Sequence, residues 1–127
     1  MKKSGILNAH LSEALARLGH TDTLVIADCG LPVPRGVEVV DLALVFGIPR
    51  FTEVLDAVRD EIVIESVVAA HEALSTPAGD WIDQRFGDVG HVSHAELKER
   101  VRDASVVVRS GETTSYANVI LTCGVPF

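Results

Sequence analysis

Apolar residues along the chain fall into short blocks that switch between helical and strand spacing. Leu7, Leu11, Ala14, Leu15 and Leu18 follow the period of a helix with one buried face. A helix is therefore expected over 8–18, with Asn8 as its N-cap and Gly19 as its stop. Leu24 to Ala27 is instead an unbroken apolar run, the pattern of a strand covered on both faces, and a strand is expected over 23–28. Gly30, Pro32 and Pro34 end that strand and stiffen the segment after it. This stretch, 19–34, organises the reading of the chain. It sets a histidine, His20, at the entrance of a buried strand and an aspartate, Asp28, at its exit.

Further along, a short strand is expected around 38–41, then a Gly47-Ile48-Pro49 turn. Phe51, Val54, Leu55 and Val58 mark a second helix. The β-branched run from Ile62 to Ala70 predicts a strand, with Glu65 as an exit, a bend or a polar site. Residues 71–87 carry no single pattern. His71 to Leu74 could extend a helix, Thr76-Pro77-Ala78-Gly79 breaks it, and Trp81, Ile82 and Phe86 suggest a short helix on the core. Ser93-His94-Ala95-Glu96 reads as a capping box opening a helix, with Leu97 and Val101 on its buried face and Lys98, Glu99, Arg100 and Arg102 solvated. Strands are expected at 105–108 and 119–123. Alternating helices and apolar strands predict one α/β domain over 1–127, a layered sheet with helices on both faces.

Composition narrows the chemistry. Of the 127 residues 47% are hydrophobic and only 5% aromatic, so the core must be aliphatic. A net charge of −7 argues against nucleic acid or an anionic membrane as partner and favours a neutral or cationic small molecule. No apolar run is long enough to span a bilayer. Met1-Lys2-Lys3 has the charge of a signal peptide, but Asn8, His10 and Ser12 interrupt any apolar segment after it, so a cytoplasmic protein is expected. Cys29 and Cys123 lack metal-ligand spacing and read as reduced, small hydrophobes.

Among the histidines at 10, 20, 71, 91 and 94, no pair stands four apart in a helix, and no metal is expected. No Gly-x-Gly-x-x-Gly or Walker motif is present, so no nucleotide cofactor is expected. Ser110 lacks the frame of a hydrolase elbow and reads as part of a turn. Asp28 stands where ligands collect in open α/β sheets, outside the carboxyl ends of strands; as a plain structural residue it would cap a turn, with His20 simply solvated. Tyr116 and Asn118, one residue apart in a segment read as extended, would share a face and could bracket the hydroxyls of a polyol; their structural alternative is an edge-strand Tyr and a turn-capping Asn.

Several long motifs carry a resemblance. Gly19-His20-Thr21-Asp22 through Pro34, Asp41-Leu42-Ala43-Leu44 with Gly47-Ile48-Pro49-x-Phe51, Arg109-Ser110-Gly111-Glu112 through Tyr116-Ala117-Asn118, and the final Gly124-Val125-Pro126-Phe127 resemble the D-ribose pyranase family over nearly the whole chain. The related L-fucose mutarotases share the His and Asp pattern, but the Thr-Asp and Leu-Pro-x-Pro wording is closer to the ribose branch. The resemblance implies a cofactor-free isomerase that interconverts pyranose and furanose forms of D-ribose or a similar monosaccharide, in a homo-oligomeric ring with sites near subunit contacts. It makes His20 the proton donor and Asp28, Tyr116, Ala117 and Asn118 sugar-binding residues. A further family histidine opens a His-x-x-x-Lys helix, matching His94 with Lys98; His91 is the rival, because 75–92 departs from the family's longer segment. An L-fucose-type mutarotase and a non-catalytic monosaccharide-binding protein are the alternatives. Helix polarity gives His20, past the end of the first helix, the donor's part and His94, at the start of another, the acceptor's.

Overall fold

The computed structural model describes residues 1–127. In chain order the elements are α1 (Ala9–Arg17), β1 (Thr23–Ala27), β2 (Glu38–Asp41), α2 (Phe51–Arg59), β3 (Ile64–Ala70), α3 (Pro77–Asp83), β4 (Gly90–Val92), α4 (His94–Arg100), β5 (Val106–Arg109) and β6 (Val119–Cys123), with 3-10 turns at His71–Ser75 and Val101–Asp103. The strands form one sheet in the order β2-β5-β1-β6-β3-β4. β1, β2, β3, β4 and β5 share a direction, and β6 alone runs against its neighbours β1 and β3. The carboxyl ends of five strands and the amino end of β6 therefore meet along one edge of the sheet. That is the edge at which α/β sheets bind ligands.

The apolar run of β1 is explained by its central position, because helices cover both of its faces. On one side Leu24 and Ile26 pack with Leu11, Ala14 and Leu15 of α1, Phe51, Val54, Leu55 and Val58 of α2, and Ala78 and Ile82 of α3. On the other, Val25 and Ala27 pack with Leu97, Val101 and Ala104 around α4, and with Leu31. Phe51, Leu55 and Leu97 are fully buried, and each contributes about 1.5–3 kcal/mol through the apolar surface it withdraws from water.

Local departures from the expected pattern have physical reasons. α1 ends at Arg17 with Leu18 as an extended cap, and the left-handed residue is Thr21 (φ 70°), so Gly19 is not the stop. Its N–H is instead taken by Asp22 Oδ2 at 2.7 Å. Thr76-Pro77-Ala78-Gly79 starts a helix rather than only breaking one: Thr76 Oγ1 accepts the Ala78 N–H and Pro77 occupies the first turn, where its missing N–H costs nothing. A Cβ on Gly79 would lie 2.7 Å from the Ala73 carbonyl oxygen, so only glycine lets α3 pack on the preceding 3-10 turn. β4 has no counterpart among the expected elements, because a three-residue strand containing Gly90 is too short to show alternation. At α4, Ser93 Oγ accepts the Glu96 N–H, but the Glu96 carboxylate pairs with Arg100 instead of reaching back, so only half of the capping box forms.

Candidate active site

A cleft of about 530 Å³ opens at the carboxyl edge, lined among others by Asp28, His94, Lys98, Glu112, Thr114 and Tyr116. Asp28 directly follows β1, and three hydrogen bonds fix it. Its N–H donates to Asn118 Oδ1 at 2.9 Å, and its Oδ2 accepts from Asn118 Nδ2 at 2.7 Å. Its Oδ1 accepts the Gly30 N–H at 2.9 Å, the Asx turn that begins the Pro-rich segment. Asp28 therefore caps a turn and presents a carboxylate to the cleft at the same time.

Tyr116 and Asn118 do not share a face. Tyr116 lies in a turn with φ +63°, not in extended chain, so alternation does not apply to it. Its ring lines the cleft, whereas Asn118 is fully buried behind Asp28 and Ala117 is fully buried in the core. The triplet thus divides: the tyrosine faces the opening, and the asparagine holds the aspartate.

His94 opens α4 and sets its ring edge-on to Tyr116, with centroids 5.0 Å apart. Its N–H donates to Glu72 Oε2 at 2.9 Å, which ties the start of α4 to the 3-10 turn after β3. The Glu72 carboxyl is held below its ordinary range first by its own backbone N–H, against a smaller upward push from desolvation, and then by the N–H of His94. His94 Nδ1 is buried with no partner, so one ring nitrogen has its hydrogen bond unmade. His91 lies on β4, stacks on His71 at 5.7 Å, and is not among the cleft residues.

Glu112 forms the floor. Its carboxylate accepts N–H bonds from Phe51 at 3.2 Å and from Thr113 and Thr114 at 3.1 Å each, which fastens the loop before Tyr116 to the start of α2. Burial pushes this carboxyl up, but the N–H groups of Thr114, Phe51 and Thr113 together outweigh it, and Glu112 ionises below the usual glutamate range. Ser110 is structural, as expected: it is buried, and its hydroxyl donates to the Ala27 carbonyl at 2.7 Å. Beside the cleft, Arg109 bridges Asp41 at the end of β2 and the Cys29 carbonyl. That guanidinium holds the Asp41 carboxyl below its ordinary range.

His20 is elsewhere. It precedes β1 while Asp28 follows it, so the five-residue strand alone separates them by about 16 Å at ~3.3 Å per residue. The fold does not bring Asp28 to His20. Its neighbour is Glu65, whose Oε2 lies 3.0 Å from His20 Nε2. His20, Glu65, Val63, Gly124 and Val125 line a separate hollow of about 230 Å³ at the opposite edge of the sheet.

Residues 1–126 match the model of the RbsD / FucU transport protein family. The chain belongs to that family. It is 55% identical over 127 residues to the D-ribose pyranase of Cutibacterium acnes (strain DSM 16379 / KPA171202), covering all of both chains. Among solved structures, Bacillus subtilis RbsD complexed with D-ribose superposes with a TM-score of 0.95 at 45% identity, again over the whole of both chains. The fucose mutarotase of Streptococcus pneumoniae, solved with L-fucose, matches at a TM-score of 0.82 and 22% identity over 95% of each chain, and shares the fold.

Glu112 and Glu72 support this site without any local sequence pattern that marks them. Each works through a contact distant in the chain, Phe51 for one and His94 for the other. Lys98, counted with the solvated residues of α4, lines the cleft one turn after His94, where the His-x-x-x-Lys pattern puts it.

Proposed function

We propose that this protein is an isomerase that interconverts the pyranose and furanose forms of D-ribose by acid/base ring opening and reclosure. The observation that carries the reading is the polar cleft at the carboxyl edge. Asp28, Tyr116, His94 and Lys98 converge there, in a chain that superposes on B. subtilis RbsD, a protein solved with D-ribose. Ring opening moves two protons. A base takes the proton of the anomeric hydroxyl as the bond from C1 to the ring oxygen breaks, and an acid protonates that oxygen, giving the open aldehyde. In reclosure the C4 hydroxyl loses its proton as its oxygen bonds to C1, and the carbonyl oxygen gains one. The sum is zero, so the reaction calls on positioned acids, bases and polar clamps and on no redox cofactor.

The residues divide these tasks. Asp28, held rigid by Asn118, accepts hydrogen bonds from sugar hydroxyls, and Tyr116 and Lys98 supply donors. The buried segment Ala117-Asn118 contributes by fixing its neighbours. His94 has a ring nitrogen without a partner and accepts from or orients a hydroxyl. His20 is the proton donor, and a second copy of the chain brings it to the cleft. Each half-site is flanked by apolar surface that a neighbour would cover: Leu44, Val45 and Phe46 near Cys29 on one edge, Val63 and Val125 near His20 on the other. A homo-oligomeric ring that seats one patch on the other completes the site. A cytoplasmic location goes with this reading; no helix is long and apolar enough to cross a membrane.

Magnetisation-exchange NMR on D-ribose tests it. Faster exchange between pyranose and furanose signals with protein present is the expected result, and His20→Ala removes it. Binding of ribose without faster exchange, or acceleration for L-fucose and none for D-ribose, overturns the assignment.

A further inference from the structure

We propose that Glu65 is the positioning residue of His20: it holds the imidazole through Nε2, so that Nδ1 is the nitrogen that exchanges protons with the sugar. The inference rests on the reading of His20 as proton donor. Glu65 Oε2 lies 3.0 Å from His20 Nε2, and no other carboxylate comes within 4.0 Å of a ring nitrogen. The nitrogen that bonds to the carboxylate carries the hydrogen in the neutral ring, and the other is left with its lone pair.

The backbone explains how this glutamate reaches that histidine. Val67 and Ala69 of β3 face one layer of the core, and Val68 and Ala70 face the other. Strict alternation would put Ile64 with Val68, yet Ile64 packs on the layer of Val67 and Ala69. The exception is a bulge. The pairing of β3 with β6 steps from Ile64↔Cys123 to Ser66↔Thr122, so Glu65 is the extra, unpaired residue. A bulge frees and re-aims one side chain, and such features gather beside active sites. The opposite partner is equally prepared. Thr21 N–H bonds to the Cys123 carbonyl at 2.9 Å, Cys123 N–H to the Asp22 carbonyl at 2.8 Å, and Gly124 N–H to the Val63 carbonyl at 2.9 Å. The turn that carries His20 is thereby tied through the end of β6 to the start of β3.

Stability does not account for the pair. The two side chains are 51% and 55% exposed, and exposed ion pairs contribute little to folding. A half-exposed imidazole with no partner would turn freely in water; with Glu65 in place one ring nitrogen is committed and the other has a fixed direction. An orienting carboxylate of this kind acts on the histidine's orientation and tautomer, not on the fold.

The test compares Glu65→Ala, Glu65→Gln and His20→Ala by ribose exchange kinetics, urea unfolding and ¹⁵N NMR of the histidine ring. Glu65→Ala is expected to lower kcat about 10-fold or more with KM and unfolding unchanged. Glu65→Gln, whose amide oxygen still accepts the Nε2 hydrogen, is expected to recover most of that loss. In the unmodified protein, neutral His20 is expected to carry its hydrogen on Nε2. Full kcat in Glu65→Ala, a matching loss in Glu65→Gln, or a hydrogen on Nδ1 overturns the proposal. If His20→Ala itself keeps the full rate, the reading of His20 as donor has failed; an inactive His20→Ala beside a fully active Glu65→Ala removes Glu65's role alone.

Discussion

Asn118 offers the sharpest probe of how the cleft is built, because it is fully buried and spends both ends of its amide on Asp28. Asn118→Ala removes the 2.7 Å bond from Nδ2 to the Asp28 carboxylate, and a hydrogen bond to a charged group contributes about 1.5–3 kcal/mol. It also strands the Asp28 N–H, which donates to Oδ1 at 2.9 Å, at about 1 kcal/mol where water can partly replace the partner. The expected loss is about 2.5–4 kcal/mol, read by urea unfolding at fixed protein concentration through the fluorescence of Trp81, the single tryptophan. The carboxylate keeps only its bond from Gly30, and freedom of about 1 Å at a clamping group can lower the exchange rate on the order of 100-fold. Asn118→Asp sharpens the reasoning. It keeps the acceptor for the Asp28 N–H but sets an oxygen where the donor was, and two carboxylates about 4 Å apart near a protein surface repel by about 4 kcal/mol. That variant should be weak at pH 7 and should recover in acid as the pair takes up a proton. An equally active Asn118→Ala within about 0.5 kcal/mol of the parent, the scatter of a neutral surface change, refutes the clamp. So does an Asn118→Asp of normal stability at pH 7.

Three further outcomes rest on single contacts. Glu112 ionises below the usual value of 4.5, so it stabilises the fold above that pH and the stability is lost as pH falls through its depressed value; Glu112→Gln should flatten the acid limb of the stability curve below about pH 4.5, and an unchanged limb refutes the assignment. A Cβ on Gly111 would collide with the Ile48 carbonyl oxygen and lie 2.6 Å from the Val45 carbonyl oxygen, so Gly111→Ala should cost about 1–3 kcal/mol, on the scale of overpacking, in the same unfolding assay. Phe46 is 84% exposed on the apolar 43–48 loop, and Phe46→Ser should lower the mass seen by light scattering while leaving the circular dichroism of the fold intact; an unchanged mass removes this loop from the interface.

The legible parts of this chain were those set by local periodicity. β2 and β6 span 38–41 and 119–123 as expected, and α2 begins at Phe51, because each apolar pattern there coincides with a face of the sheet or one helix. Asp28 at the end of a buried strand was legible for the same reason. What the pattern could not carry was pairing across the chain. The Asn118 to Asp28 clamp, the Glu112 seat on Phe51 and the bulge that turns Glu65 towards His20 all depend on strand register or on loops meeting after folding. The inference that Tyr116 and Asn118 share a face failed because it assumed extended backbone where Tyr116 takes φ +63°.

The two ends of β1 constrain the assembly. His20 precedes this strand and Asp28 follows it, and a strand five residues long cannot deliver both to one small sugar. If both act on the same ribose, they come from different copies, and the site belongs to the assembly. Mixing inactive variants tests this directly. A His20→Ala subunit retains Asp28, and an Asp28→Asn subunit retains His20. Where the second lends its histidine to the first, an intact site forms. Random assembly from equal amounts makes each half-site intact in half of the cases, so about one quarter of the interfaces should regain both residues in a closed ring of head-to-tail contacts. Co-refolded mixtures should then recover roughly a quarter of the parent exchange rate from two inactive parents, by the same interface count. Native mass spectrometry shows whether mixed assemblies have formed. Mixed assemblies without any recovered exchange would mean that His20 and Asp28 do not serve one site across a subunit contact.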